Sequence, residues 1–181
     1  MIRPILQATD PQLRQKSKSV VKVDKKISSI ITDLKDTLVV QKDPEGVGLA
    51  APQIGKKLRV FIMKLGGTTI TVINPKILQV INKGKGVAKK IERKQKKSKI
   101  LEGCLSLPHY YGPLKRAKFI KIKYLDGNGQ EQISSFSDFD AQIIQHEIDH
   151  LEGILFIDKL LEQKRPLYEY VNGEWERVEL I

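Results

Sequence analysis

The chain has 181 residues, of which 40% are hydrophobic and 29% charged, with one cysteine and a formal net charge of +11. This composition excludes an intrinsically disordered chain and suits one domain around one core. No apolar run approaches the roughly 20 residues of a membrane-crossing helix, the lone Cys104 allows no intrachain disulfide, and the positive surplus favours an acidic partner such as nucleic acid.

Met1–Asp10 lacks the basic start and unbroken apolar stretch of a secretory signal. The expected compartment is therefore the cytoplasm, which also suits a free thiol. Met1–Val23 is irregular, with a turn at Thr9-Asp10-Pro11. Asp24 is placed to cap a helix over Lys25–Val40, in which Ile27, Ile30, Ile31, Leu34 and Leu38 recur at helical spacing. Asp43-Pro44-Glu45-Gly46 ends it, and a small apolar stretch, Gly46–Gln53, follows. Leu58–Met63 and Thr69–Ile73 read as strands around a Gly66-Gly67 turn, with Ile77–Ile81 as a separate strand.

The next segment, residues 82–100, carries nine basic side chains and one acid, Glu92. Its expected state is an exposed basic loop. Phe119–Leu125 alternates apolar and polar, Asp126-Gly127-Asn128-Gly129 is a turn, and Gln130–Phe136 returns as a strand. Ser137 then stands at the cap position of a second helix that should run to about Glu152 and stop at Gly153. Asn172-Gly173 predicts a C-terminal hairpin at about 167–180. The whole reads as a single catalytic domain over 1–181, with a basic insertion at about 82–100. The expected fold class is α+β: antiparallel strands surrounding a central helix, with the first helix packed outside.

That second helix carries His146-Glu147-Ile148-Asp149-His150. Residues four apart share a helix face, so the two imidazoles can hold one metal ion, and Glu147 can act as general base on a water beside it. The chain has three histidines, and two of them occupy this spacing. A hydrolytic metal site commonly takes a third protein ligand. Glu152 and Glu162 lie downstream, whereas upstream the stretch Glu102-Gly103-Cys104-Leu105-Ser106 offers a thiolate.

Taken together, Gly46–Gln53, Glu102–Ser106 and Gln145–His150 resemble, in order, the three signature motifs of the peptide deformylases. Ile73-Asn74-Pro75 and Leu151–Asp158 resemble the flanking text of that family, so the likeness covers about Met1–Asp158. The resemblance implies hydrolysis of the formyl group from the N-terminal formyl-methionine of nascent peptides. It implies that Cys104, His146 and His150 bind one divalent metal and that Glu147 carries the proton from water to the departing amine. It implies that the Gln53 amide and the Leu105 backbone N–H receive the developing oxyanion. Val47, Gly48, Gly103, Phe139 and Ile143 would shape the substrate pocket, the glycines by letting backbone approach closely.

The resemblance points to Fe2+, with Ni2+, Co2+ or Zn2+ able to substitute, since two imidazoles and a thiolate suit several of these ions. The lysine-rich stretch exceeds what many deformylases carry. Lys83–Lys99 is either a solvated surface loop or an electrostatic contact to ribosomal RNA. Two rival readings of the whole chain are a zinc endopeptidase built on the same helix motif and an inactive relative that binds RNA.

Overall fold

In a computed structural model of the chain, residues 1–81 and 101–179 are described. The expected basic loop at 82–100 lies outside the described residues. Among those described, no helix is long and apolar enough to cross a membrane.

The architecture is α+β with two antiparallel sheets. Helix α1 (Lys25–Val39) starts where Asp24 accepts a side-chain hydrogen bond from the Ile27 N–H, as the capping pattern predicts. Strands β1 (Gly48–Ala50), β2 (Val60–Leu65), β3 (Thr68–Ile81), β6 (Phe119–Leu125) and β7 (Glu131–Ser137) form a five-stranded sheet in that order. Strands β4 (Glu102–Cys104), β5 (Leu107–Gly112), β8 (Leu167–Val171) and β9 (Glu174–Val178) form the second sheet, in the order β4-β5-β8-β9. Helices α2 (Asp138–Leu151) and α3 (Phe156–Glu162) complete the fold.

Alternation along β2 explains how the first sheet buries both faces. Phe61 and Met63 point into a core shared with Ile143, Ile144, Ile148 and Leu151 of α2. Val60 and Ile62 point the other way, into a core with Ile27, Ile30, Leu34 and Leu38 of α1. The sheet is thus sandwiched between the two helices. A third, smaller core joins Cys104 and Leu167 to Phe156 and Leu160 of α3, fastening the second sheet to the rest.

Two expectations need correction, and one helix had not been foreseen. Ile77–Ile81 is no separate strand: β3 runs unbroken from Thr68 to Ile81. It passes Pro75 by a register shift between Ile73 and Lys76. At the shift Asn74 takes a φ of 51° and its side chain pins the backbone of Val20 from both sides, accepting at 2.9 Å and donating at 2.7 Å. A bulge of this kind lets a strand carry a proline without losing its partner. Ser137 occupies the cap position of α2, but its side chain makes no capping bond. The acids Asp138 and Asp140 in the first turn complement the helix N-terminus instead. Helix α3 was not legible as a separate element. Its independence follows from Gly153, which turns the chain with a φ of 76°. A side chain there would come within 2.5 Å of the Arg14 carbonyl, so both the turn and the packing require glycine.

Candidate metal centre

Helical geometry brings His146 and His150 onto one buried face of α2, and β4 presents Cys104 to them. One ligand atom from each of the three lies within 4.8 Å of the others, and all three residues are buried. The Cys104 Sγ is 3.2 Å from His150 Nε2. The His146 and His150 rings stand nearly perpendicular, 4.8 Å apart. Burial opposes charge on both Cys104 and His146. For Cys104 the neighbouring His150 and then His146 outweigh it and hold the thiol well below its ordinary pKa, and for His146 Cys104 and then Glu102 outweigh it and hold the imidazole well above. A buried thiolate beside two imidazoles is a donor set that fits a divalent transition-metal ion, at a spacing one ion can bridge. The two downstream carboxylates are engaged elsewhere: Glu152 pairs with Arg59 at 2.6 Å and Glu162 with Lys159 at 2.9 Å.

A buried ionic network supports this cluster. His146 Nδ1 lies 2.8 Å from Glu102 Oε1. Arg116 donates to both oxygens of Glu102, at 3.0 and 2.6 Å, and to Asp149 at 2.5 Å. Burial alone would raise the Glu102 pKa, but hydrogen bonds from Arg116 and His146 hold it at about 2. The carboxylate thus stays ionised and fixes the ring orientation of His146, leaving the other nitrogen for a ligand.

Glu147 faces the same cavity. Its carboxylate is buried, Oε2 has no hydrogen-bond partner among the described residues, and burial pushes its pKa up to about 7. Opposite it stands Gly48: a Cβ there would approach Glu147 Oε1 to 2.4 Å. Gly48 is therefore glycine because the carboxylate occupies the space a side chain would need.

Gln53 sits in a 3-10 turn over Ala51–Ile54. Its carbonyl oxygen accepts from the Ala50 N–H at 2.9 Å, which turns the amide NH2 towards Cys104 Sγ at 3.6 Å and Ser106 Oγ at 3.1 Å. Leu105 follows Cys104 at the turn between β4 and β5. Val47, Gly48, Gln53, Gly103, Cys104, Leu105, Phe139, Ile143, His146 and Glu147 line one pocket. His150 lies behind them, 1% exposed. Phe139 is at the rim, 42% exposed. His109 also lines the pocket, outside the cysteine–histidine cluster.

Motif reading did not single out Ser106, fully buried against Gln53. Ser106 had a signal, since it closes the cysteine motif. Tyr111, at the pocket wall, stands beside Gly103 through the pairing of β4 with β5.

The polypeptide deformylase family model matches residues 2–166. A peptide deformylase of Pseudothermotoga lettingae is 39% identical over 165 residues, covering 91% of this chain and 86% of that one. Peptide deformylase 1 of Clostridium acetobutylicum is 37% identical over 163 residues, covering 90% and 97%. Among solved structures, the peptide deformylase of Thermotoga maritima superposes with a TM-score of 0.74 at 34% identity, covering 88% of this chain and 97% of that one. With a match of this extent in sequence and in fold, the chain belongs to the polypeptide deformylase family and is a hydrolase.

Proposed function

We propose that the chain removes the formyl group from the N-terminal formyl-methionine of newly made polypeptides, releasing formate and a free amine. The reading rests on one juxtaposition: a buried Glu147 carboxylate, its Oε2 without a hydrogen-bond partner among the described residues, beside a buried Cys104–His146–His150 donor set. Those three residues would hold one divalent ion. When bound, such an ion polarises the formyl carbonyl and lowers the pKa of water towards neutrality.

The remaining chemistry belongs to the chain. Glu147 takes a proton from the attacking water and passes it to the amine nitrogen as the C–N bond breaks. The Gln53 amide and the Leu105 N–H donate to the formyl oxygen as charge develops there, each worth roughly 3 kcal/mol of barrier. Gly48 and Gly103 admit the substrate backbone. Val47, Ile143 and the rim residue Phe139 receive the methionine side chain, with α2 as the rigid support. Glu102, held by Arg116, orients His146.

The family likeness favours Fe2+, with Ni2+, Co2+ or Zn2+ as substitutes. A ferrous ion against a thiolate would make the enzyme oxygen-sensitive. The experiment is to load the chain with Fe2+ anaerobically, supply formyl-Met-Ala-Ser and measure free amine. The wild-type chain should release it, and Cys104→Ala should lose both metal content and activity. Absence of amine from the loaded wild type would refute the deformylase reading. Metal retained by Cys104→Ala would refute the donor set.

In this reading residues 1–181 act as one catalytic domain working in the cytoplasm on nascent chains. The lysine-rich stretch 83–99, outside the described residues, supplies charge for contact with ribosomal RNA. Replacing six of its lysines with glutamine should weaken ribosome cosedimentation and flatten its salt dependence. Binding that survives unchanged at every salt concentration ends that part of the proposal.

A further inference from the structure

The family match ends at residue 166, and the β8–β9 hairpin begins at Leu167. This hairpin is joined to the metal-centre sheet, because β8 pairs with β5 and β5 with β4. In the register, Gly103, Tyr111, Tyr168 and Arg177 stand opposite one another across the four strands, and Tyr170 stands opposite Trp175. Opposed residues share a sheet face. The other face is covered by α3 through Leu167, Leu160 and Phe156.

On the first face, Trp175 reaches back across β8. Its ring centre lies 5.3 Å from that of Tyr111 at 79°, and 4.8 Å from that of Tyr170. Tyr111 in turn covers Gly103, where a Cβ would come within 2.7 Å of the tyrosine ring. Tyr111 also lines the pocket. A continuous line of contact therefore runs from the hairpin to the residue just before Cys104. Yet Trp175 is 51% exposed and Tyr170 42%, which leaves aromatic surface open next to the pocket mouth.

A peptide seated by its first residue has to leave the pocket over its rim. Extended backbone advances about 3.3 Å per residue, so the second to fourth substrate residues pass within roughly 10 Å of the mouth. We infer that the Tyr111 ring contacts the substrate side chains that follow methionine, favouring bulky apolar or aromatic ones, and that Trp175 is the positioning residue that holds Tyr111 in place. The inference rests on the deformylase reading and adds a selectivity to it. An aromatic wall selects in this way because ring–ring contacts favour partners with a π-face or a large apolar area.

The test compares kcat and KM for formyl-Met peptides carrying Phe or Gly at the second or third position. The wild type should prefer Phe by about fivefold in kcat/KM at one of these positions. Trp175→Ala should bring that ratio close to one through KM, with kcat for the preferred peptide little altered. Trp175→Phe should restore most of the preference. Tyr111→Ala and the double variant should show the same flattened ratio, since Trp175 acts through Tyr111. Trp175 is the chain's one tryptophan, so its fluorescence reads the rim directly, with no metal required. Titration of the metal-free chain with Met-Ala-Phe should give a saturable change that Tyr111→Ala abolishes.

A preference that survives Trp175→Ala overturns the inference. So does a loss that appears only in kcat alongside a lowered melting temperature, which would make the hairpin a structural brace alone. If the wild type hydrolyses no formyl peptide, the deformylase reading fails, and the fluorescence titration still decides whether the rim binds peptide.

Discussion

Glu147→Gln lowers kcat on formyl-Met-Ala-Ser by about a hundred- to ten-thousandfold, the range lost with a general acid–base group, while metal content and fold are kept. The substitution preserves shape, so Gly48 still meets a planar group of the same size. It removes the ability to accept a proton and return it. Folding should not suffer, because Glu147 Oε2 has no hydrogen-bond partner among the described residues to lose and burial of the carboxylate already opposes charge. A neutral amide in the same place costs less to desolvate. The checks are steady-state kinetics, metal analysis and a thermal melt on the same preparation. A variant within tenfold of wild type would remove Glu147 from the proton path.

The second large effect is on stability. Arg116→Met strands two carboxylates, Glu102 with a side chain 4% exposed and Asp149 with one 17% exposed. Removing one partner from a buried ion network costs about 3–5 kcal/mol, because the charges left behind keep their desolvation penalty. For a chain of this size the melting temperature should fall by roughly 10 °C. Metal affinity should fall too, by about tenfold to a hundredfold, since Glu102 would no longer be fixed against His146.

The pH dependence follows from Glu102. Its folded pKa of about 2 lies below the ordinary carboxylate value of 4.5. A depressed carboxylate pKa gives stability that is complete above the unfolded value and drains as the pH falls towards the folded one. In the wild type that loss falls between about pH 4.5 and 2. In Arg116→Met burial of Glu102 goes unopposed by the guanidinium, so the acid-side loss begins at higher pH. Urea melts at pH 7, 5 and 4 would show the variant losing stability already at the mild end. Equal melting temperatures for variant and wild type at pH 7 would mean that the network carries no net stability.

Local physics was enough for several elements. Helix α1 follows from an aspartate cap and a repeating apolar face, and the structure places it over Lys25–Val39. The β6–β7 hairpin follows from Asp126, whose carboxylate accepts from the N–H groups of Asn128 and Gln130. The shared face of His146 and His150 follows from helix geometry alone. Each of these rests on residues a few positions apart, where backbone geometry leaves little choice.

Tertiary structure decided whatever depended on distant residues. Cys104 meets His150 across 46 positions, and Gln53 meets Cys104 across 51. Motifs suggested these partners, but only the packing of α2 against the sheets sets the distances. Arg116 pairs with Glu102 at 2.6 Å. That it also holds Asp149 depends on where α2 docks. Trp175 reaches Tyr111 only because β8 inserts between their strands. The amino-acid order alone therefore determines the helix that bears the two histidines and the identity of the donor atoms. Which of those atoms face one another, and which aromatic rings overlook them, is settled by sheet register and core packing. Both are properties of the whole chain, because side chains far apart in sequence must fill one volume together.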